Sequence, residues 1–182
     1  MNYFIQFLTY FRILIAPIIF ILITLFDFYG WALLLFFIAS ISDYWDGFLA
    51  RKYNLESMLG AVLDPIADKI LLTFLILALS IELYSPYVAF LGGIIIVREF
   101  WVSALRDLNA RENNTEATKV SQLAKIKTAT QFIALFSFLF GLFLNSALVI
   151  FVSNFLLFLA LIITLQSGLS YTVATFKKTD EY

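Results

Sequence analysis

Long apolar stretches separated by short polar links dominate the hydropathy pattern of this 182-residue chain. A membrane-spanning helix needs about 20 predominantly apolar residues, and only helices or closed barrels satisfy their backbone hydrogen bonds in lipid. The pattern therefore predicts an all-α, polytopic membrane protein with six transmembrane helices. The predicted spans are Phe7–Phe26, Phe28–Ala50, Met58–Ile81, Tyr87–Leu105, Ile126–Leu144 and Leu148–Thr172.

The links between these spans are too short to fold as a second domain. The longest, residues 106–122, is expected to continue as a short amphipathic helix and a loop. We therefore interpret residues 1–182 as one integral-membrane domain. The first apolar stretch lacks a preceding basic segment and a small-residue cleavage site, so we do not expect a cleaved signal peptide.

Lysine and arginine residues mark one end of the predicted spans. The link between the first two spans carries Asp27, and the link between the third and fourth carries Glu82, without any cation. Because cytoplasmic loops are enriched in Lys and Arg, we predict cytoplasmic termini and a location in the cell (inner) membrane. The cations at the predicted cytoplasmic end are Arg51, Lys52, Lys69, Arg106, Arg111, Lys119, Lys125, Lys127, Lys177 and Lys178.

The composition narrows the chemistry that such a protein can perform. Hydrophobic residues make up 62% of the chain, which contains neither cysteine nor histidine. Disulfide frameworks, thiolate nucleophiles, Ser–His triads and His-ligated zinc are therefore excluded. Proton transfer must depend on carboxylates, lysine or tyrosine.

Four aspartates lie at the predicted cytoplasmic ends of the second and third spans. Asp43 and Asp46 share one helix face, and Asp64 and Asp68 share another, because residues three or four apart are neighbours on a helix. The short link makes these helices antiparallel neighbours, so the two faces can meet. Close carboxylates repel one another, so they would either take up protons or recruit cations. Oxygen ligands favour a hard divalent ion, Mg²⁺ or Mn²⁺, and a cluster of four can hold two such ions.

Small residues and an arginine accompany the aspartates. Gly47, Ala50 and Gly60 lie on the same two faces and would let a nucleotide approach the helices closely. Arg51 would supply a planar donor fork for phosphate. The alternative for the three small residues is close helix packing.

The complete pattern reads D-x-x-D-G-x-x-A-R, eight residues, then G-x-x-x-D-x-x-x-D, and it resembles the signature of the CDP-alcohol phosphatidyltransferases. The resemblance implies a six-helix membrane fold, usually homodimeric, with a di-metal site open to the cytoplasm. It implies that an alcohol attacks a CDP-linked lipid and releases CMP. It also implies that the aspartates hold metals bridging the pyrophosphate and that Asp68 acts as general base. The signature positions are Asp43, Asp46, Gly47, Ala50, Arg51, Gly60, Asp64 and Asp68.

Cations near the same surface suggest a phosphorylated acceptor. The segments "LTYFRILIAPI", "GAVLDPIADKILL", "IIIVREFWVSALRD" and "LAKIKTATQ" resemble family members whose substrates are CDP-diacylglycerol and glycerol 3-phosphate. We expect these two substrates and membrane lipid as partners, and no nucleic acid. An alternative is another acceptor alcohol. The candidate ligands of the acceptor phosphate are Arg98, Arg106, Lys125 and Lys127.

Simpler interpretations exist for several charged residues. Arg98 and Glu99 could form a structural pair within the fourth span. Arg12 could snorkel to the membrane surface. Lys52 and Lys69 are interpreted as topology signals and lipid-headgroup contacts.

Two rival protein classes also use acidic membrane sites. In intramembrane prenyltransferases the Asp motifs are separated by whole helices, whereas here they fall within one helix pair. A divalent-cation carrier needs polar groups along a path across the bilayer. The other halves of these spans are nearly free of charge, which argues against a carrier.

Overall fold

The computed structural model describes residues 2–53, 58–111 and 122–179, with side chains from 7–42, 63–111 and 126–177. These segments are helical apart from short turns, which confirms the all-α prediction. The described residues form six helices, numbered here in chain order: α1 (Asn2–Thr24), α2 (Tyr29–Tyr53), α3 (Met58–Glu82), α4 (Pro86–Arg111), α5 (Gln122–Phe143) and α6 (Ala147–Thr179).

Tight turns join α1 to α2, α3 to α4 and α5 to α6. The Ser85 N–H donates to the Ser80 carbonyl at 3.1 Å and closes the end of α3. The Ser85 hydroxyl also accepts the Val88 N–H at 3.2 Å and caps the start of α4. Ser146 has the same two roles between α5 and α6. Each turn contains one residue of left-handed backbone conformation: Asp27, Tyr84 and Asn145, with φ of 54°, 46° and 48°.

The six helices pack as a closed ring. Helix α1 contacts α3, α3 contacts α4, α4 contacts α6, α6 contacts α5, α5 contacts α2, and α2 returns to α1. Fully buried alanines lie within this packing and let helix backbones approach closely. They are Ala16, Ala32, Ala39, Ala67, Ala78, Ala134 and Ala160. The ring therefore brings α2, α3, α4 and α5 around a common interior.

Large apolar side chains cover the outside of the ring. Leu14, Phe90 and Phe151 are 67%, 69% and 72% exposed. An apolar exterior of this kind is unsuited to water and suited to lipid. Together with the helix lengths, it confirms the prediction of a membrane protein.

Four helices in the described part of the chain are long and apolar enough to cross a membrane, judged by length and composition. The apolar part of α2 with described side chains, Tyr29–Ser42, is shorter. Spanning by all six helices therefore stays a prediction. The four candidate spans are Phe7–Thr24, Pro86–Arg111, Ile126–Phe143 and Ala147–Lys177.

Several helices extend beyond the predicted spans at the cation-rich end. Helix α4 continues to Arg111 instead of ending at Leu105, and α6 continues to Thr179 instead of Thr172. Hydropathy marks where apolar residues stop, but a helix satisfies its own backbone and can continue into polar sequence. The helical start of the 106–122 link is thus confirmed, and the rest of that link lies outside the described residues.

Candidate functional site

A cavity of about 560 Å³ lies between α2, α3, α4 and α5. Part of its wall is apolar and includes Phe36 and Phe132. The charged residues that line it are Asp68, Lys69, Glu99, Arg106 and Lys127. The structure therefore brings three of the predicted site residues, Asp68, Arg106 and Lys127, to one space.

Thr9, Arg12, Asp64 and Asp68 form a group that we name the acidic cluster, which joins α1 to α3. Arg12 donates hydrogen bonds to Asp68 Oδ1 at 2.5 Å and to Asp64 Oδ1 at 3.2 Å. Thr9 Oγ1 donates to the same Asp64 oxygen at 2.6 Å. The Arg12 side chain is 0% exposed, whereas those of Asp64 and Asp68 keep 35% and 40%. The cation is thus buried behind two carboxylates that remain accessible.

The snorkelling interpretation of Arg12 is wrong. A buried charge without a partner is strongly unfavourable, so this guanidinium is directed to the carboxylates of α3. Thr9 and Arg12 are three residues apart and therefore share the face of α1 that meets α3. Sequence reasoning missed both as site residues, although a charge within an apolar span is itself a signal of function.

Arg98, Glu99, Lys127 and Gln131 form a second group, the basic cluster, between α4 and α5. Three donors converge on one oxygen, Glu99 Oε1: Lys127 Nζ at 2.6 Å, Arg98 Nη1 at 3.0 Å and Gln131 Nε2 at 3.3 Å. Arg98, Lys127 and Gln131 are buried. Two cations therefore surround one carboxylate in a largely dry part of the protein.

Arg98 extends away from the cavity toward α6. Its Nη2 donates to Ser167 Oγ at 2.6 Å. Its stem crosses Gly168, where an added Cβ would lie 2.8 Å from Arg98 Nε. The structural pair of Arg98 with Glu99 is confirmed, and phosphate binding by Arg98 stays a prediction.

Two further cations are held at the cavity by uncharged partners. The Arg106 guanidinium lies 5.2 Å from the centre of the Tyr171 ring, within range of a cation–π contact. Lys69 Nζ donates to Ser103 Oγ at 2.7 Å and to the Pro65 carbonyl at 3.2 Å. Lys69 therefore lies in the cavity wall as well as near the predicted membrane surface. Its interpretation as a topology signal did not predict this place in the site.

The described half of the predicted metal site suits a hard divalent ion. Asp64 and Asp68 present accessible carboxylates from successive turns of α3, and Thr9 adds a hydroxyl oxygen nearby. A purely oxygen donor set is the kind that Mg²⁺ binds. No group of three acidic, histidine or cysteine side chains occurs among the side chains that the structure describes. A complete site would need Asp43 and Asp46.

Seven predicted site residues have side chains outside the described ranges. Helix α2 includes five of them, α3 includes one and α5 includes one. Their predicted roles in binding metal, CDP-lipid and acceptor phosphate stay predictions. They are Asp43, Asp46, Gly47, Ala50, Arg51, Gly60 and Lys125.

Relatives with an established name resemble this chain over most of its length. A protein named CDP-diacylglycerol–glycerol-3-phosphate 3-phosphatidyltransferase from Salmonella choleraesuis is 34% identical over 171 residues, which is 92% of this chain and 91% of the relative. Proteins of the same name from Blochmanniella floridana and Wigglesworthia glossinidia brevipalpis are 38% and 33% identical. The matches cover 74% and 85% of this chain, and 72% and 88% of the relatives.

A family model gives the same result. The model of the CDP-alcohol phosphatidyltransferases matches residues 5–166. This match includes all four predicted metal-binding aspartates and every member of both clusters. The chain therefore belongs to the CDP-alcohol phosphatidyltransferase family.

Proposed function

We propose that this protein transfers the phosphatidyl group of CDP-diacylglycerol to sn-glycerol 3-phosphate, giving phosphatidylglycerophosphate and CMP. The relatives described above carry the name of this activity. The observation that carries the proposal is the cavity wall, where Asp68 lies with the cations Arg106 and Lys127. A carboxylate suits a reacting hydroxyl, and the two cations suit the phosphate of the acceptor.

Asp43, Asp46, Asp64 and Asp68 would together hold two divalent ions, Mg²⁺ or Mn²⁺. When bound, such ions neutralise the pyrophosphate of the CDP-lipid and stabilise charge on the attacking and leaving oxygens. Arg12 supports this role from behind, because its hydrogen bonds fix the orientation of Asp64 and Asp68. Gly47, Ala50, Arg51 and Gly60 would contact the nucleotide end of the CDP-lipid.

Asp68 would accept the proton of the acceptor hydroxyl. The hydroxyl oxygen then bonds to the phosphorus that carries diacylglycerol. The bond from this phosphorus to the bridging oxygen of the pyrophosphate breaks, and CMP leaves with the electron pair. Asp68 suits this role because it belongs to both the acidic cluster and the cavity wall, with 40% of its side chain exposed.

The acceptor phosphate would lie toward α4 and α5. Arg106 and Lys127 line the cavity there, and Lys125 belongs to the first turns of the same helix as Lys127. Lys69 adds a third cation to the cavity wall. This excess of positive charge favours a phosphorylated acceptor over a neutral alcohol.

The proposed topology has six transmembrane helices, cytoplasmic termini and an active site facing the cytoplasm, in the inner membrane of the cell. The distribution of Lys and Arg supports this orientation. The resemblance to the family supports a homodimer.

Release of CMP by the purified protein tests the proposed function. We expect CDP-diacylglycerol to react with glycerol 3-phosphate far faster than with glycerol, serine or inositol, because these alcohols lack the phosphate. We also expect EDTA to abolish the reaction and Mg²⁺ or Mn²⁺ to restore it. Comparable rates with serine would indicate another acceptor, and full activity after chelation would refute the metal site.

A further inference from the structure

The two carboxylate oxygens of Glu99 differ in the hydrogen bonds that they accept. All of its hydrogen bonds to described residues end on Oε1, which receives Lys127, Arg98 and Gln131. Its other carboxylate oxygen, Oε2, receives no donor from the described residues. The side chain lines the cavity and retains 14% of its surface. Oε2 is therefore the edge of this carboxylate that is available to a ligand.

The basic cluster also fixes where that oxygen lies. Gln131 donates to Thr164 Oγ1 at 2.8 Å as well as to Glu99, and Arg98 donates to Ser167. Thr164 and Ser167 are buried on α6. The Glu99 carboxylate is thus oriented by donors on α4 and α5, two of which are themselves held by hydroxyl groups of α6. A preorganised acceptor of this kind loses little side-chain entropy when it binds a ligand.

The chemistry of Oε2 restricts the group that it can bind. A carboxylate between two cations is ionised, and an ionised carboxylate only accepts hydrogen bonds. It would repel the acceptor phosphate, whose ligands Arg106 and Lys127 lie in the same cavity. The part of a phosphorylated polyol that suits it is a hydroxyl group.

We propose that Glu99 is a specificity-determining residue, which accepts a hydrogen bond from the second hydroxyl of the acceptor, on the carbon next to the reacting one. This assignment rests on the proposed function and adds a selection for diols to the selection for phosphate. Asp68 accepts the proton of the reacting hydroxyl, and Glu99 accepts a hydrogen bond from the hydroxyl next to it. A site with a buried polar group of this kind discriminates against an analogue that leaves the group unpaired.

The test compares glycerol 3-phosphate with 3-hydroxypropyl phosphate, which keeps the phosphate and the primary hydroxyl but lacks the second hydroxyl. The ratio of kcat/KM for the two acceptors isolates the contact. A hydrogen bond to a charged group corresponds to a preference of about ten- to a hundredfold for glycerol 3-phosphate in the wild type. Glu99→Gln should reduce this preference to a few-fold. Glu99→Asp keeps the charge but withdraws the carboxylate, and it should also reduce the preference.

Ser167→Ala is the matched control, because it perturbs the basic cluster at α6 without changing the cavity wall. It should leave the ratio unchanged even if it lowers both rates. Equal use of the two acceptors by the wild type, or an unchanged preference in Glu99→Gln, would overturn the assignment. If the wild type uses neither phosphorylated acceptor, the proposed function itself fails, and the assignment fails with it.

Discussion

The acidic cluster and the basic cluster are built from the same components in opposite proportions. In the acidic cluster, Arg12 pairs with two carboxylates, and the buried member is the cation. In the basic cluster, Glu99 pairs with two cations, Arg98 and Lys127, and the shared centre is the carboxylate. One cluster therefore carries an excess of negative charge and the other an excess of positive charge.

The difference matters because both clusters reach the same cavity. Asp68 belongs to the first cluster and lines the cavity, as do Glu99 and Lys127 of the second. Excess negative charge favours a bound cation, and excess positive charge favours a bound phosphate. A group of buried ion pairs can therefore favour a bound cation or a bound anion according to the net charge that the group carries.

Removing the negative charge of Asp68 should have the largest effect. Asp68→Asn keeps the shape of the side chain but cannot accept the hydroxyl proton. We expect turnover to fall by roughly 10²- to 10⁴-fold, the usual contribution of a general base. CMP release measures this loss, and metal-dependent binding of CDP-diacylglycerol should be substantially retained.

Asp64→Asn is the matched control, since Asp64 also contacts Arg12. It should weaken metal-dependent binding of the CDP-lipid as well as turnover. An equal loss of binding in both variants would mean that Asp68 serves only as a metal ligand. The two carboxylates of the acidic cluster would then have the same role.

Removing one cation near the basic cluster should have an intermediate effect. Lys127→Ala or Arg106→Ala should raise the KM for glycerol 3-phosphate by about ten- to a hundredfold, because each removes a charged hydrogen bond to phosphate. The KM for CDP-diacylglycerol should change less. Lys177→Ala removes an exposed lysine of α6 and should leave both values unchanged. A rise confined to the CDP-lipid KM would place these cations at the other substrate.

Adding a methyl group beside Arg98 should have the smallest effect. Gly168→Ala would place a Cβ against Arg98, so we expect a loss of about 1–3 kcal/mol in stability, typical of overpacking. Gly93→Ala is the control, because an added Cβ there meets no atom within 4 Å. Thermal unfolding in detergent measures both. Equal midpoints would show that the stem of Arg98 can adapt.

Sequence reasoning predicted which residues share a face of one helix. The spacing of Asp64 and Asp68 predicts their common face, and both contact Arg12. The same reasoning could have predicted that Arg98 and Glu99 face different neighbours, because successive residues on a helix point in different directions. The structure directs Arg98 to Ser167 on α6, while Glu99 lines the cavity.

What sequence reasoning missed depends on contacts between helices. Thr9 and Arg12 contact aspartates more than 50 positions away in the chain, and no local pattern relates them. Lys69 resembles a topology signal because it lies near the predicted membrane surface. Its contact with Ser103 appears only when α3 and α4 pack together.

The tight turns at Asp27, Tyr84 and Asn145 lie at the ends of the helices opposite the aspartates and cations. Each fixes a helix pair at one end, so relative tilting of a pair must pivot there. Helix α3 has 25 residues and is therefore roughly 37 Å long. A tilt of about 5° at such a pivot displaces the far end by about 3 Å, from the helix rise of 1.5 Å per residue. A small angular change at the turns would therefore widen or narrow the cavity between α2, α3, α4 and α5.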